Sequence, residues 1–293
     1  MLTSRMSRGE KIFQSINLVL LLALAIATLF PFLYVVSVSL TPLEVLAKYG
    51  SFQVIPRVIT FDAYRYLLST GLIPRAFLNS VTITMLGTTV NLVLTTLTAY
   101  PLSRKRLPGR TFWLVFVLIP MLFSGGLVPL FILVRSLGLL NTYWAVVLPG
   151  AIWTYNLLVM KSFFESLPEE ILESARIDGA NDFRILMRIV LPLSKPVLAT
   201  LGLFYAVGHW NGFFYPLMFL SDAKLQPLQV ILRNVLLDLM MDDLPEVLEK
   251  LELLPGQTLK MAAIVLSVLP LLVVYPWIQK YFTKGVLLGA IKG

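Results

Sequence analysis

The sequence predicts an all-α integral membrane protein with six transmembrane helices, and three observations carry that expectation. First, 57% of its 293 residues are hydrophobic and only 14% are charged, against about 25% charged in soluble domains. Second, six stretches lack Asp, Glu, Lys and Arg altogether: 12–43, 76–103, 111–134, 136–160, 196–221 and 261–279. A helix needs about 20 predominantly apolar residues to cross the hydrocarbon core, with a range of about 17 to 25, so every stretch is long enough to span. Third, with six spans both termini lie on one side, and fifteen of the 24 Lys and Arg residues fall there with segments 104–110 and 161–195. A Lys/Arg excess marks the cytoplasmic face, so both termini are expected there. None of the stretches has the ten-residue alternation of an outer-membrane barrel.

The spans are expected at about 14–40, 76–103, 111–134, 137–160, 197–220 and 261–280. The first is far longer than the 7 to 15 apolar residues of a cleaved signal and contains Pro31 and aromatic residues, so it is expected to remain attached. The second carries the amides Asn79 and Asn91, and the third carries Pro120, Gly125, Gly126 and Pro129, which predict a bend. The loop 44–75, with Phe52, Phe61, Tyr64 and Tyr66, reads equally as an interfacial cap or as a ligand-facing surface. The outward loop 222–260 is acidic, with Asp238, Asp242, Asp243, Glu246, Glu249 and Glu252, and leucines at helical spacing over 228–254 predict a surface helix within it. Contact with an external partner and plain solvation both account for its charge.

The inward connection 161–195 predicts two short helices. Ser166, Pro168 and Glu169 have the spacing of a capping box, and Asp178-Gly179 is a breaker pair. Beyond it, Phe183, Leu186, Met187 and Val190 fall at i, i+3, i+4 and i+7, which predicts one apolar stripe. Arg184 and Arg188 lie on the opposite face, and Leu191-Pro192 and Pro196 end the run. The segment holds six acids against five bases, a poor match for an anionic leaflet, which attracts basic excess. A groove on a partner protein suits such a helix pair better.

Several functions are excluded by composition. There is no cysteine and one histidine, His209, so thiol chemistry, disulfides and multi-histidine metal sites lack material. No G-x-x-x-x-G-K-[ST] phosphate loop occurs in the chain, and the carboxylates Glu169, Glu170 and Glu173 sit in an amphipathic helix rather than in a catalytic pair. The net charge of +8 is spread over cytoplasmic loops, not gathered on a soluble face as nucleic-acid binding requires. An ion-coupled carrier keeps Asp, Glu or Lys within its spans, and these spans offer one histidine. A stand-alone secondary transporter or channel for a neutral small solute is the alternative reading.

The segment Glu173-Ser174-Ala175, Asp178-Gly179-Ala180, then Ile189, Leu191 and Pro192 resembles the "EAA loop" of permease subunits of ATP-binding-cassette importers. The stretch 167–196 is similar to the carbohydrate-permease version, in MalG-like and LplC-like proteins. Leu137-Gly138-Leu139-Leu140-Asn141-Thr142, Trp210-Asn211, and the ending from Lys284-Gly285 to Gly293 extend the resemblance across most of the chain. Ser174 stands where a second Ala is usual, a change between small residues. Tyr205 to Pro216 and 225–234 look most like the LplC-like branch, whose members handle oligosaccharides, some from acidic polysaccharides such as alginate or pectin.

The resemblance implies a type I importer permease, or MetI-like, fold as a single transmembrane domain over 1–293, with coupling helices at 167–191. It implies that Glu173, Ser174, Ala175, Asp178, Gly179, Ala180, Asn181 and Asp182 engage a dimer of separate ATPase subunits, which bind ATP and Mg. This chain is then no enzyme and holds no cofactor. The further partners implied are a homologous permease subunit, an extracytoplasmic solute-binding protein and an oligosaccharide, in a bacterial inner membrane. Substrate-pathway candidates come from the fifth span, where His209, Trp210, Asn211, Phe213 and Tyr215 combine aromatic faces with hydrogen-bonding groups, and from Asn79 in the second. Sugars suit that mixture, whereas Gly208 and Gly212 fit tight helix packing equally well.

Overall fold

The computed structural model describes residues 8–50, 52–238 and 256–290, and of residues 8, 43, 235, 236, 238 and 274–290 only the backbone. Asp242, Asp243, Glu246, Glu249 and Glu252 of the outward loop, and the end of the chain from Ile291, lie outside the described residues. Among those described the structure is entirely helical. Helices α1 (Arg8–Ser39), α4 (Leu72–Leu102) and α15 (Gly256–Ala290) are continuous, and each contains a stretch long and apolar enough to cross a membrane. Three bent pairs qualify when each is taken as one broken span, giving six: α5 (Arg110–Leu122) with α6 (Leu127–Ser136), Tyr143–Gly150 with α8 (Thr154–Glu165), and Asp182–Leu193 with α12 (Lys195–Trp210). Their bends are 113°, 56° and 82°.

Each break has a cause in the sequence. Ser124, Gly125 and Gly126 interrupt the third span, and Gly126 adopts φ +85°, a conformation that costs side-chain-bearing residues roughly 1–2 kcal/mol. The fourth span, continuous over 137–160 by its hydropathy, instead breaks after Pro149-Gly150. It comprises α7 (Tyr143–Val147), a 3₁₀ turn at Leu148–Gly150, and α8. The last pair breaks at Ser194, just after α11 (Leu191–Leu193) and between Pro192 and Pro196, and the fifth span is interrupted again after Trp210, resuming as α13 (Phe214–Phe219).

The chain divides into two compact units, Met1–Gly71 with Asn234–Val268 and Leu72–Arg233 with Leu269–Gly293. In the first, the short helices α2 (Leu43–Tyr49) and α3 (Asp62–Ser69) follow α1. Ser39 Oγ shares a 2.6 Å hydrogen bond with Tyr64, and Gln257 Nε2 donates to Tyr34 Oη at 3.2 Å. Phe52 packs beside Phe30 and Tyr34, so this aromatic of the outward loop covers α1.

In the second unit the core joins one end of α4, α8 and α12 to the short helices α9 (Glu169–Ile177) and α10 (Asp182–Ile185). Leu157, Met160, Ile185, Val190 and Leu201 are fully buried there. The opposite end is stitched by side-chain amides. Asn141, at φ +56°, accepts from the backbone N–H groups of Ser221 and Asp222 at 2.8 and 3.0 Å. Asn79 Nδ2 donates to the carbonyls of Lys224 and Gln226, while its Oδ1 accepts from Tyr143 Oη. Ser80 Oγ takes the Leu228 N–H, at the start of α14 (Leu228–Asp238). Asn141→Gly keeps the backbone freedom and removes these acceptors. It is expected to destabilise the unit by about 1–3 kcal/mol, read as a lower melting temperature in detergent with insertion unchanged.

Candidate functional site

Two places in the second unit carry functional geometry. The first is the helix pair α9 and α10. Ser166 ends α8: its hydroxyl donates to the Phe163 carbonyl at 2.8 Å, and Pro168 occupies the position before α9 with no side-chain cap. The capping box expected at Ser166 is therefore not formed, because the connection is so short that Ser166 still belongs to the preceding turn. The cap falls instead on Asn181, whose Oδ1 accepts from the Arg184 N–H at 2.9 Å. Between the helices Gly179 adopts φ +79°, with open space where a Cβ would stand.

The stripe expected from Phe183, Leu186, Met187 and Val190 is split. The helix widens to a π turn over Leu186–Val190, and the wider repeat turns Ile185, Leu186 and Val190 inward. Phe183 and Met187 are left 62% and 48% exposed, and Ile177 at the tip of α9 is 86% exposed. Leu172 and Ala175 anchor the other side of α9 in the core. Of the coupling candidates, Ala175 is thus a buried anchor, while Glu173, Ser174, Asp178, Gly179, Asn181 and Asp182 are exposed around the turn and Ala180 is half-buried.

Charges fasten this pair from beneath. Arg110 pairs with Glu165, which also accepts from Lys161 Nζ at 2.9 Å. Arg176 reaches Asp182 at 3.3 Å across the Gly179 turn. Arg104 lies over the Tyr100 ring at 4.5 Å. Burial lowers its pKa from the usual guanidinium value, with the field of Tyr100 opposing that shift and Arg176 adding to it.

The second place is a cavity of about 450 Å³, within the size range of small-molecule sites. Leu127, Val146, Gly150, Trp153, Gly208, His209, Gly212, Phe213, Phe214, Tyr215 and Pro216 line it. It sits where the fourth and fifth spans both break, the usual setting of transporter sites. Of the pathway candidates, His209, Phe213 and Tyr215 come together here. Trp210, one residue on, is buried with its ring edge against Phe77, centroids 5.7 Å apart. Asn211 is exposed at the end of α12, and Asn79 belongs to the stitching of the opposite end. Sequence reasoning missed Gly150 and Trp153. The Pro149-Gly150 pair was the available signal, since such dipeptides punctuate helices.

A polar ladder closes the side of the cavity that faces α4. His209 Nε2 lies 2.8 Å from Asn91 Oδ1, and Asn91 Nδ2 donates to the Gly150 carbonyl at 2.7 Å. One turn along, Thr95 and Tyr205 hydroxyls share a 2.7 Å bond, and Tyr205 Oη accepts from the Trp153 N–H at 3.4 Å. Backbone groups freed by a break within a membrane need such partners. Two glycines make the close approach possible: a Cβ on Gly87 would stand 2.4 Å from His209 Nε2, and one on Gly208 would stand 2.2 Å from Trp153 Cη2. No group of three or more His, Asp or Glu able to hold a metal occurs among the described residues.

The family described as "Binding-protein-dependent transport system inner membrane component" matches residues 91–288. Protein LplC of Bacillus subtilis is 42% identical over 300 residues, covering 99% of this chain and 98% of its own. The polygalacturonan/rhamnogalacturonan transport system permease protein YtcP of the same organism is 44% identical, covering 97% and 99%. A chain in the crystal structure of a bacterial ABC transporter involved in the import of the acidic polysaccharide alginate superimposes with a TM-score of 0.90 at 33% identity, over 96% of this chain and all of that one. The likeness to ABC permeases favours an importer subunit over a stand-alone carrier. With its broken-span helical fold and matched profile, the chain belongs to the family of binding-protein-dependent transport system inner membrane components, with the MetI-like permease fold.

Proposed function

We propose that this chain is one of two homologous permease subunits forming the transmembrane pathway for an oligosaccharide. A binding protein delivers the sugar outside, and a dimer of ATPase subunits inside binds ATP and Mg and supplies the energy. Both termini face the cytoplasm. The observation that carries this reading is the helix pair between the fourth and fifth spans. Its inner face is locked into the core, while Ile177, Phe183 and Met187 project uncovered around Gly179. Apolar side chains held rigidly in that way fit a groove on a partner. Glu173, Ser174, Asp178, Gly179, Ala180, Asn181 and Asp182 form the rim of that contact, and Ala175 roots it.

Similarity to a polygalacturonan/rhamnogalacturonan permease and to an alginate importer supports oligosaccharide as the cargo class. His209, Phe213 and Tyr215 line this chain's part of the path. ATP-driven closure of the motor tilts the two permeases against each other, exchanging inward for outward access. The test is reconstitution with the motor and the binding protein. Gly179→Ile forces a branched side chain into a left-handed turn at a cost of roughly 1–2 kcal/mol or more. The variant is expected to insert and assemble, yet to hydrolyse ATP without moving sugar. Normal coupling in that variant would remove the turn from the contact.

A further inference from the structure

The cavity wall holds His209 through a buried amide. Asn91 is fully buried and both ends of its amide are used. Its Nδ2 faces the Gly150 carbonyl, which can only accept, so the Nδ2 must donate there. The Oδ1 is therefore the end that meets His209, and Oδ1 can only accept. His209 Nε2 must then carry the proton. In the neutral ring this leaves Nδ1 as an acceptor, the only hydrogen-bonding atom that His209 has left. The Nε2 edge lies against Gly87, where a Cβ would stand only 2.4 Å away. The hydrogen bond made by one ring nitrogen selects the imidazole tautomer in this way in many sites.

We propose that Asn91 is a positioning residue that holds His209 in the Nε2–H tautomer, so that the cavity binds the uncharged, hydroxyl-bearing face of a sugar ring. This inference rests on the importer reading above and adds the class of group that this chain recognises. The Nδ1 lone pair accepts from a sugar hydroxyl, and Trp153, Phe213 and Tyr215 offer flat surfaces to the C–H face of a ring. Among the described residues no charged side chain lines the cavity. A carboxylate brought against a fixed acceptor with no cation would remain unpaired, which is costly within a membrane. Arg233, over the Phe213 ring at 5.9 Å, stays outside the lining. This cavity therefore reads hydroxyls, and any uronate carboxyl on the cargo is held elsewhere in the transporter.

Because His209 is the only histidine in the chain, the test has a single-site readout. The permease is labelled with ¹⁵N-histidine, assembled with its unlabelled partner subunits in bilayers, and observed by solid-state NMR. The expected spectrum is a neutral ring protonated at Nε2, and Asn91→Leu is expected to lose that preference. Galactobiose and digalacturonate, which differ at C6, are then added as probes. Both are expected to shift the Nδ1 resonance and leave Nε2 in place.

A ring protonated at Nδ1, or an Asn91→Leu spectrum identical to the parent, overturns the positioning role. An Nδ1 signal unmoved by either probe, or moved by digalacturonate alone, overturns the hydroxyl-reading site. His209→Gln, which keeps a donor for Asn91 but moves the acceptor from the ring Nδ1 position to an amide Oε1, is expected to raise the KM for uptake about tenfold, the value of one hydrogen bond at ~1.4 kcal/mol. In Asn91→Leu/His209→Gln the effects are expected not to add, since one residue acts through the other. Failure of the importer reading has a different signature: ATP hydrolysis by the complete complex that responds to no saccharide, with the tautomer still reported by the spectrum.

Discussion

Gly208→Val is expected to abolish sugar uptake while the protein still inserts and assembles. The Cβ would stand 2.2 Å from Trp153 Cη2 and 2.9 Å from Cζ2, so either the ring or α12 must move. The ring has little room, because it packs on Tyr205 with centroids 4.8 Å apart and its backbone N–H is bound to the same tyrosine. Overpacking of this kind costs roughly 1–3 kcal/mol, and the open direction for Trp153 is the cavity itself. The variant therefore fills the site rather than unfolding the bundle. Gly202→Ala is the control: its Cβ would approach only Leu92 Cδ1, at 3.3 Å, a flexible side-chain end that yields readily. Uptake by proteoliposomes separates them, with Gly202→Ala near the parent rate. Unchanged uptake in Gly208→Val would show that the cavity lies off the path.

The second large effect is expected from Ile177→Asp. Ile177 is 86% exposed and contributes little to the fold of its own chain, so the variant is expected to melt with the parent. In a groove on the motor the new carboxylate would be buried without a partner. A central anchor of an interface is worth about 2 kcal/mol or more, so the affinity for the ATPase should fall about thirtyfold or more. Retention of the ATPase through size-exclusion chromatography reads this directly. Full retention would mean that the exposed tip of α9 touches nothing.

The spans were legible in the sequence because missing charge is a solvent requirement, and hydropathy registers it without any knowledge of packing. Breaks were legible only where glycine announced them. Gly125-Gly126 predicted the third-span bend, whereas the apolar run on either side of Pro149-Gly150 concealed the fourth. The cavity was half legible. His209, Trp210 and Asn211 stood out together as rare polar and aromatic residues, yet neighbours on a helix point about 100° apart. His209 turns to Asn91, and Trp210 turns to Phe77. Asn91 could be seen as a buried amide, but its role depends on Gly150, 59 positions away, and no local pattern encodes that meeting. The split of the stripe at Phe183 and Met187 was hidden for a related reason. Periodicity assumes a regular helix, and the π turn changes the period.

The 82° bend at Ser194 has a mechanical meaning. On one side of it lie the helices proposed to meet the motor, and on the other lies α12, a shaft of 16 residues, or about 24 Å. A tilt of about 5° at the inner end of such a lever displaces its far end by about 2 Å. His209 rides near that far end, and its bond to Asn91 is 2.8 Å long. A displacement of that size would part the two, so on the proposed reading a small push at Ser194 would unlatch the cavity.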